Sequence, residues 1–206
     1  MFLLCGSPNA EDGNSLYMLN ALKQAASSDA PVYSAIKSPD ISQEAFVRAV
    51  ESGEPTVLSF PLYADSLPAY FLRFLTRLEK VCAGLNTSRA GRIYVIVNNG
   101  FYDAAQNDIA IEIIKRWCER CSLTYGRALA VGAGGMVKAA PIGKGPMAGL
   151  EKELLALADD IQSGKSGETA YVEPAMPRWI YRIAGNMSFN IEAKKNGLRK
   201  RDLLKR

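Results

Sequence analysis

The chain has no histidine among its 206 residues. This absence excludes Ser-His-Asp and Cys-His nucleophiles, and it removes the most common general base and zinc ligand. We therefore expect that any redox or group-transfer chemistry is carried by a bound cofactor and not by a protein side chain.

Cysteines and long apolar runs are also few. The four cysteines fall in apolar segments, which indicates packing and not a disulfide framework. Cys118 and Cys121 form a C-x-x-C inside a helical pattern, but a zinc or iron–sulfur site needs about four ligands and the sequence offers no second pair. No run approaches the roughly 20 apolar residues of a membrane-spanning helix, and the N-terminal run lacks the basic residues of a signal peptide. The sequence thus predicts a cytoplasmic protein without a metal centre.

Strand-like and helix-like segments alternate along the chain. The apolar strand candidates are residues 2–5, 31–35, 55–60, 91–97 and 123–131. A helical pattern follows each of them, and the helix predicted over 104–122 is expected to bury Ile109, Ile113 and Trp117 on one face. This order predicts an α/β fold, a doubly wound five-stranded parallel sheet with helices on both faces.

The charge is divided unevenly between a body and a tail. We assign residues 1–162 to one domain, 163–177 to a linker of small residues and proline, and 178–206 to a basic helical tail. The tail has nine Lys and Arg against Glu192 and Asp202, a net charge of +7, so the remainder carries −3 of the chain's +4. The tail is interpreted as helices packed on the domain or on a second subunit. An anionic membrane surface or an acidic partner protein are alternatives, and the acidic body disfavours nucleic acid.

A loop rich in small polar residues, GSPNAEDGNSL at residues 6–16, follows the first strand candidate. Gly6 and Gly13 permit tight turns, and the helix that begins near Ser15 presents unpaired backbone N–H groups to an anion. The loop contains neither the Walker A pattern nor the G-x-G-x-x-G dinucleotide pattern. From its residues alone it is either a phosphate cradle or an ordinary helix-capping turn.

Three further loops follow strands at the same predicted edge of the sheet. They are FPLYADSLP at residues 60–68, NNGFYD at 98–103 and GAGGMVKAAPIGKGP at 132–146. Alone, the first is consistent with a helix-capping loop that has a packing tyrosine and the second with a simple turn. The third could be a wall or lid over a ligand, or simply mobile. Because parallel sheets bind ligands beyond the carboxyl ends of their strands, the four loops together predict a site for a planar aromatic ring with a phosphate tail.

Two of these segments resemble motifs of the flavodoxin-like NAD(P)H-dependent FMN oxidoreductases, a family that includes the iron–sulfur flavoproteins. GSPNAEDGNS is similar to the family's G-S-P-R-x(n)-G-N-[ST] phosphate loop, and FPLYADSLPAYFLRFLTRLEK is similar to its P-[IL]-Y-x-x-x-[LM]-P segment. The resemblance covers about residues 1–160 of the chain. It implies a flavodoxin-like sheet with the strand order 2-1-3-4-5, and a homodimer.

The resemblance also implies which residues bind FMN and what the flavin does. The implied FMN-binding residues are Ser7, Pro8, Asn14 and Ser15 in the phosphate loop, Pro61, Leu62, Tyr63, Ala64 and Asp65 beside the isoalloxazine ring, and Asn98, Asn99, Gly100, Phe101 and Tyr102 on its other side. NAD(P)H would supply a hydride, and a quinone, a free flavin or a nitro compound would accept it. No catalytic side chain is predicted, because the flavin carries the chemistry.

The sequence departs from the family at two points. Asn9 stands where relatives often carry a cation after S-P, so a cation that could assist the phosphate is missing, and an arginine at this position would test whether FMN then binds more tightly. The clustered cysteines of iron–sulfur members are absent, so no cluster is predicted. Two other functions stay open, namely a flavodoxin-type electron carrier for a protein partner and a flavin-less ligand-binding or scaffold protein with the same fold.

Overall fold

The computed structural model describes residues 1–9, 11–198 and 202. Its strands, all parallel, are β1 (Phe2–Cys5), β2 (Val32–Ser34), β3 (Thr56–Pro61), β4 (Ile93–Asn98), β5 (Tyr125–Val131) and β6 (Ala170–Val172). Its helices are α1 (Asn14–Ala25), α2 (Pro39–Ser52), α3 (Ala69–Cys82), α4 (Asp108–Arg120), α5 (Gly149–Ser163) and α6 (Arg178–Lys195). The strands form one sheet in the order β2-β1-β3-β4-β5-β6. The direction of winding changes between β1 and β3, which makes this the topological switch point.

Helices cover both faces of the sheet, and the alternation of strand side chains divides the core in two. Leu3 and Cys5 pack with side chains of α1 and α5, whereas Phe2 and Leu4 pack with side chains of α2, α3 and α4. All six residues of β4 are buried. A parallel strand covered on both faces has no side that meets water, which is why its sequence IYVIVN is apolar almost throughout.

The sheet has six strands where the sequence predicts five. The sixth strand, β6, pairs with β5 along its three residues and lies inside the segment 163–177 that we interpreted as a linker. Three residues are too few for a recognisable period of two. The strand forms because the edge of β5 offers backbone partners, and no local pattern in the sequence signals that.

The helix predicted over residues 104–122 begins later and is rotated. Residues 104–107 form a 3-10 turn, and α4 follows it. The buried residues of α4 are Ala110, Ile111, Ile114, Trp117 and Cys118. The expected burial of Trp117 is confirmed, but Ile109 is exposed and Ile113 is only partly buried. Ile109, Ile113 and Trp117 all lie within α4, where residues four apart are offset by about 40° around the helix axis. The row that starts at the buried Trp117 therefore leaves the buried face before it reaches Ile109.

The tail begins with the 18-residue helix α6, within which only Ala193 is buried. The remaining residues predicted to be part of this helical tail, 199–201 and 203–206, lie outside the described residues. In the part of the chain that the structure describes, no helix is long and apolar enough to span a bilayer.

Candidate functional site

A cavity of about 370 Å³ opens at the carboxyl edge of the sheet, where the loops after β1, β3, β4 and β5 meet. Its lining residues are Ser7, Asn9, Asp12, Gly13, Asn14, Ser15, Pro61, Leu62, Tyr63, Asn98, Asn99, Gly100 and Gly135. A larger groove of about 560 Å³ lies along α1 and α5, remote from the ends of β3 and β4. We place the candidate site in the smaller cavity because it lies at the switch point, where open parallel sheets bind ligands.

Two glycines allow the first loop to fold tightly. A Cβ at Gly13 would lie 2.2 Å from the carbonyl oxygen of Asn9, and a Cβ at Gly6 would lie 2.7 Å from the ring of Phe71. The helix α1 then begins at Asn14, and no side chain among the described residues caps its N-terminus with a hydrogen bond. Its first backbone N–H groups therefore remain available to an anion in the cavity.

Asn9 has a structural role in this loop. Its Oδ1 accepts a hydrogen bond of 3.1 Å from the backbone N–H of Asp12, a local side-chain-to-backbone bond that asparagine commonly makes in turns. An arginine has no acceptor and would lose this bond. The structure thus gives a reason for asparagine at this position, since an arginine would bring a cation but lose this bond.

Two lysines from neighbouring loops bind the two carboxylates of the first loop. Lys138 Nζ donates to the carbonyl oxygen of Asp12 at 2.6 Å and also to its carboxylate, and Lys37 binds the carboxylate of Glu11. Lys138 Nζ lies 6.0 Å from the centroid of the Tyr17 ring on α1. The loop after β5 therefore brings a cation to the first loop, which has no basic residue of its own.

Buried hydrogen bonds fix the first turn of α1 against β3 and β4. Asn98 Nδ2 donates to Ser15 Oγ at 2.9 Å and to the carbonyl oxygen of Phe60 at 3.2 Å. Ser59 Oγ donates to the carbonyl oxygen of Ser15 at 3.1 Å. Because Ser15, Ser59 and Asn98 are all buried, each needs its polar partner, and together they fix the position of the helix N-terminus.

The loop after β3 contains a turn with two left-handed residues. Tyr63 and Ser66 exchange backbone hydrogen bonds of 2.9 and 3.1 Å around Ala64, with φ of 49°, and Asp65, with φ of 57°. Turns of this kind favour glycine, asparagine and aspartate, so Asp65 is readily accommodated whereas Ala64 stores strain of about 1–2 kcal/mol. The turn holds the half-exposed ring of Tyr63 at the cavity.

The loop after β4 is held by its own side chains and by the tail. Asn99 Nδ2 donates to the carbonyl oxygen of Asp103 at 3.0 Å, and Asn99 Oδ1 accepts from the backbone N–H of Phe101 at 2.8 Å. From α6, the hydroxyl of Tyr181 donates to the carbonyl oxygen of Gly100 at 2.6 Å. Burial raises the pKa of Tyr181, so its hydroxyl stays protonated and remains a donor at neutral pH.

Glycines in the loop after β5 allow it to close on the loop after β4. A Cβ at Gly132 would lie 2.2 Å from the carbonyl oxygen of Tyr102, and a Cβ at Gly134 would lie 2.7 Å from Asn98 Oδ1. The backbone N–H of Gly134 donates to the carbonyl oxygen of Asn99 at 2.7 Å. The GAGG stretch therefore joins two walls of the cavity.

Most of the residues that the sequence predicts for the site meet in this cavity. Those in its lining are Ser7, Asn14, Ser15, Pro61, Leu62, Tyr63, Asn98, Asn99 and Gly100. Those outside its lining are Pro8, Ala64, Asp65, Phe101 and Tyr102. Tyr102 instead packs against Tyr181 of α6, and its hydroxyl donates to the carbonyl oxygen of Met176 at 2.8 Å. Contact with a flavin stays a prediction for all fourteen residues.

The lining also contains residues that the prediction left out. These are Asn9, Asp12, Gly13 and Gly135. Gly13 and Gly135 belong to glycine-rich stretches, and that composition was the available signal for them. Asp12 could not be predicted from the sequence, because an acidic residue is unexpected beside an anion site. Its lysine partner, which makes it compatible with such a site, lies 126 positions away in the sequence.

Three of the four cysteines lie far from the cavity. Cys82, Cys118 and Cys121 are at the C-terminal ends of α3 and α4, which run back to the opposite edge of the sheet, and all four cysteines are buried. Burial raises the pKa of Cys5, and it raises the pKa of Cys118 to about 12. These two are therefore packed thiols and not thiolate nucleophiles.

Comparison with known proteins gives matches at the level of structure. No family model and no curated protein sequence matches the chain. The Trp repressor binding protein from Bacillus subtilis superposes with a TM-score of 0.57 and 11% identity, over 78% of this chain and 97% of that one. General stress protein 14 from Treponema denticola, solved in complex with FMN, gives a TM-score of 0.54 and 16% identity, over 78% of this chain and 99% of that one. An NADPH-quinone reductase from P. pentosaceus gives 0.53 and 16%, over 78% and 96%.

At identities of 11 to 16% these similarities show the fold. The chain has an α/β fold with a parallel sheet covered by helices on both sides, as in flavodoxin-like proteins. It is a fold on which one similar protein binds FMN and another is an NADPH-quinone reductase.

Proposed function

We propose that the chain is an FMN-dependent oxidoreductase that transfers a hydride from NAD(P)H, by way of the flavin, to a small-molecule acceptor. The observation that carries the proposal is the convergence of four loops in one cavity at the switch point. The first loop presents an uncapped helix N-terminus, and the loops after β3 and β4 form two walls beside it. A ligand with a phosphate and an attached planar ring needs an anion-binding surface next to walls that enclose the ring.

The first loop fits a phosphate. Ser7 and Ser15 are buried, and with Asn14 they line the cavity, so hydroxyl, amide and backbone N–H donors face the same space. Lys138, from the loop after β5, lies outside the lining and forms an ion pair with Asp12, so it neutralises a carboxylate that would otherwise repel an anion. In this proposal the role of Lys138 is to offset Asp12, and the phosphate is held by the donors of the first loop.

The other two walls fit the isoalloxazine ring. Pro61, Leu62 and Tyr63 offer apolar surface and an aromatic face on one side, and Asn98, Asn99 and Gly100 offer backbone and amide groups on the other. Bound FMN would supply hydride acceptance and donation, and the protein would orient the ring and leave one face open to the nucleotide and then to the acceptor. We assign no proton donor among the side chains.

The proposal includes a placement within the family. The chain resembles relatives of the iron–sulfur flavoproteins that lack the cluster cysteines, and the position of Cys82, Cys118 and Cys121 at the far edge of the sheet is consistent with that. The family resemblance further implies a cytoplasmic homodimer, which stays a prediction.

Reconstitution and turnover test this proposal. The purified chain, incubated with FMN and then freed of unbound flavin, is expected to show flavin absorption bands and to oxidise NADH or NADPH with a quinone as acceptor. A chain that retains FMN but oxidises neither nucleotide would support an electron carrier instead. A chain that retains no FMN, even from an excess, would contradict the proposal and leave the flavin-less scaffold protein.

A further inference from the structure

An apolar strip on α6 is left uncovered by the rest of the described chain. Trp179, Ile183, Met187 and Ile191 follow one another at intervals of four residues, which places them along one face of the helix. Their exposed fractions are 64, 51, 58 and 54%. We call these four side chains the α6 strip.

The first turn of α6 is attached to the body, so the helix has a defined orientation. The hydroxyl of Tyr181 donates to the carbonyl oxygen of Gly100 at 2.6 Å, and Arg178 forms an ion pair with Asp103. The rings of Tyr181 and Tyr102 meet edge to face, with centroids 5.7 Å apart. These contacts use residues outside the α6 strip, which remains exposed along its length.

No face of the sheet is left for the α6 strip to cover. The helices α1 and α5 pack on one face, and α2, α3 and α4 pack on the other. The helix α5, of similar length, buries Leu150, Leu154, Leu157, Ala158 and Ile161. A row of large apolar side chains that is exposed in a folded chain marks a surface for interaction.

The charge around the strip is positive. Arg182, Lys194 and Lys195 on α6 are exposed. Glu192 forms an ion pair of 3.7 Å with Lys195, and residues 178–206 together carry a net charge of +7. Two such tails repel each other, whereas anionic lipid headgroups attract them. Lysine and arginine stems are also long enough to keep their charged ends among headgroups while neighbouring apolar side chains lie deeper.

We propose that α6 lies flat on the surface of a bilayer that contains anionic phospholipids, with the α6 strip inserted among the headgroups. Apolar side chains on one face and basic residues beside it are the features of helices that bind in the plane of a membrane interface. The basic residues that follow α6 in the sequence add to the attraction. The cavity at the sheet edge is not needed for this binding, so the proposal stands independently of the proposed enzyme activity.

The two tryptophans of the chain provide a direct readout. Trp179 lies in the strip, while Trp117 is only 5% exposed in the core and serves as a constant background. Vesicles made of equal parts phosphatidylcholine and phosphatidylglycerol, added to the full chain, are expected to shift the tryptophan emission to the blue and to sediment the protein. Vesicles of phosphatidylcholine alone are expected to do neither.

Matched variants distinguish binding through the α6 strip from non-specific hydrophobic binding. The double variant Ile183→Ser, Met187→Ser is expected to bind the anionic vesicles at least about tenfold more weakly, because each side chain loses the free energy of leaving water. Ile109→Ser, at an exposed isoleucine of α4, is expected to bind like the parent chain. Trp179→Phe is expected to sediment with vesicles but to lose the blue shift. Unchanged thermal unfolding would show that all the variants are folded.

Three results would overturn the inference. Equal binding to both kinds of vesicle would show that charge does not drive the binding. Binding of the Ile183→Ser, Met187→Ser variant as tightly as the parent chain would show that the α6 strip does not contribute. A blue shift without lipid that grows with protein concentration, together with the mass of a dimer, would show instead that a second copy of the chain covers the strip.

Discussion

The helices α1 and α6 both begin beside the cavity, yet they are packed in opposite ways. The helix α1 continues from the first loop, and it buries Met18, Leu19 and Leu22 beneath it. The helix α6 touches the loop after β4 from outside, through Tyr181, and within the helix only Ala193 is buried. One helix is part of the core and forms a wall of the site, and the other rests against that site.

The difference follows from the position of each helix in the chain. A helix that connects two parallel strands must cross a face of the sheet, and that face buries its apolar side chains. The helix α6 follows β6, the edge strand and the last strand described, and both faces are already covered. Apolar residues at helical spacing therefore predict that a helix forms, but its partner depends on where the chain has a surface left to cover.

The largest contrast is expected in stability. Leu22→Ala removes a fully buried side chain of α1 and should lower the free energy of unfolding by about 2–5 kcal/mol. Ile183→Ala in the α6 strip should change it by less than about 0.5 kcal/mol, as for an exposed site. Urea unfolding measures both. Similar losses of unfolding free energy from the two substitutions would mean that α6 is packed in solution and would contradict the difference described between α1 and α6.

The next effect concerns the start of α1. In Gly13→Ala, the new Cβ would meet the carbonyl oxygen of Asn9 at 2.2 Å, so the loop must move and the affinity for FMN should fall by more than about tenfold, or 1.4 kcal/mol. Gly185→Ala on α6 is the matched control, since no atom lies within 4 Å of a Cβ placed there. Fluorescence titration with FMN measures both variants. Unchanged affinity in the first would show that the loop does not hold the phosphate.

A smaller and more selective effect is expected at Lys138. Lys138→Ala removes the cation that binds Asp12, and the affinity for FMN should fall about tenfold, in the range of a charged hydrogen bond. Riboflavin has no phosphate, so its affinity should change little. Lys144→Ala, in the same loop, controls for the loss of charge. An equal loss of affinity for FMN and for riboflavin would show that Lys138 maintains the shape of the loop and does not affect phosphate binding.

The smallest effect is expected where α6 touches the site. Tyr181→Phe removes the hydroxyl that donates to Gly100, a contribution of about 0.5–1.5 kcal/mol. The loss of this contact should favour local opening of α6, so we expect hydrogen exchange in α6 to become faster while global unfolding stays the same. Unchanged exchange in α6 would show that other contacts hold the helix in place.

The parts of the fold that follow from local patterns could be predicted from the sequence. The β-branched run of β4 and the glycine-rich loops come from composition and period. The nine predicted site residues that line the cavity come from the resemblance to two family motifs. The pairing of β6 with β5 could not be predicted, because a three-residue strand depends on the edge beside it. The bond between Lys138 and Asp12 joins residues 126 positions apart, so only the fold brings them together. The absence of a cation at Asn9 can be read from the sequence, whereas its hydrogen bond to Asp12 depends on the shape of the folded loop.

The account depends most on the cavity at the sheet edge being an FMN site. Equilibrium titration of the purified, flavin-free chain with FMN, followed by quenching of flavin fluorescence, tests this directly. We expect one FMN to bind per chain, more tightly than riboflavin, with the difference reduced in Lys138→Ala. No quenching by the parent chain at saturating FMN, or quenching that Gly13→Ala leaves unchanged, would contradict the account.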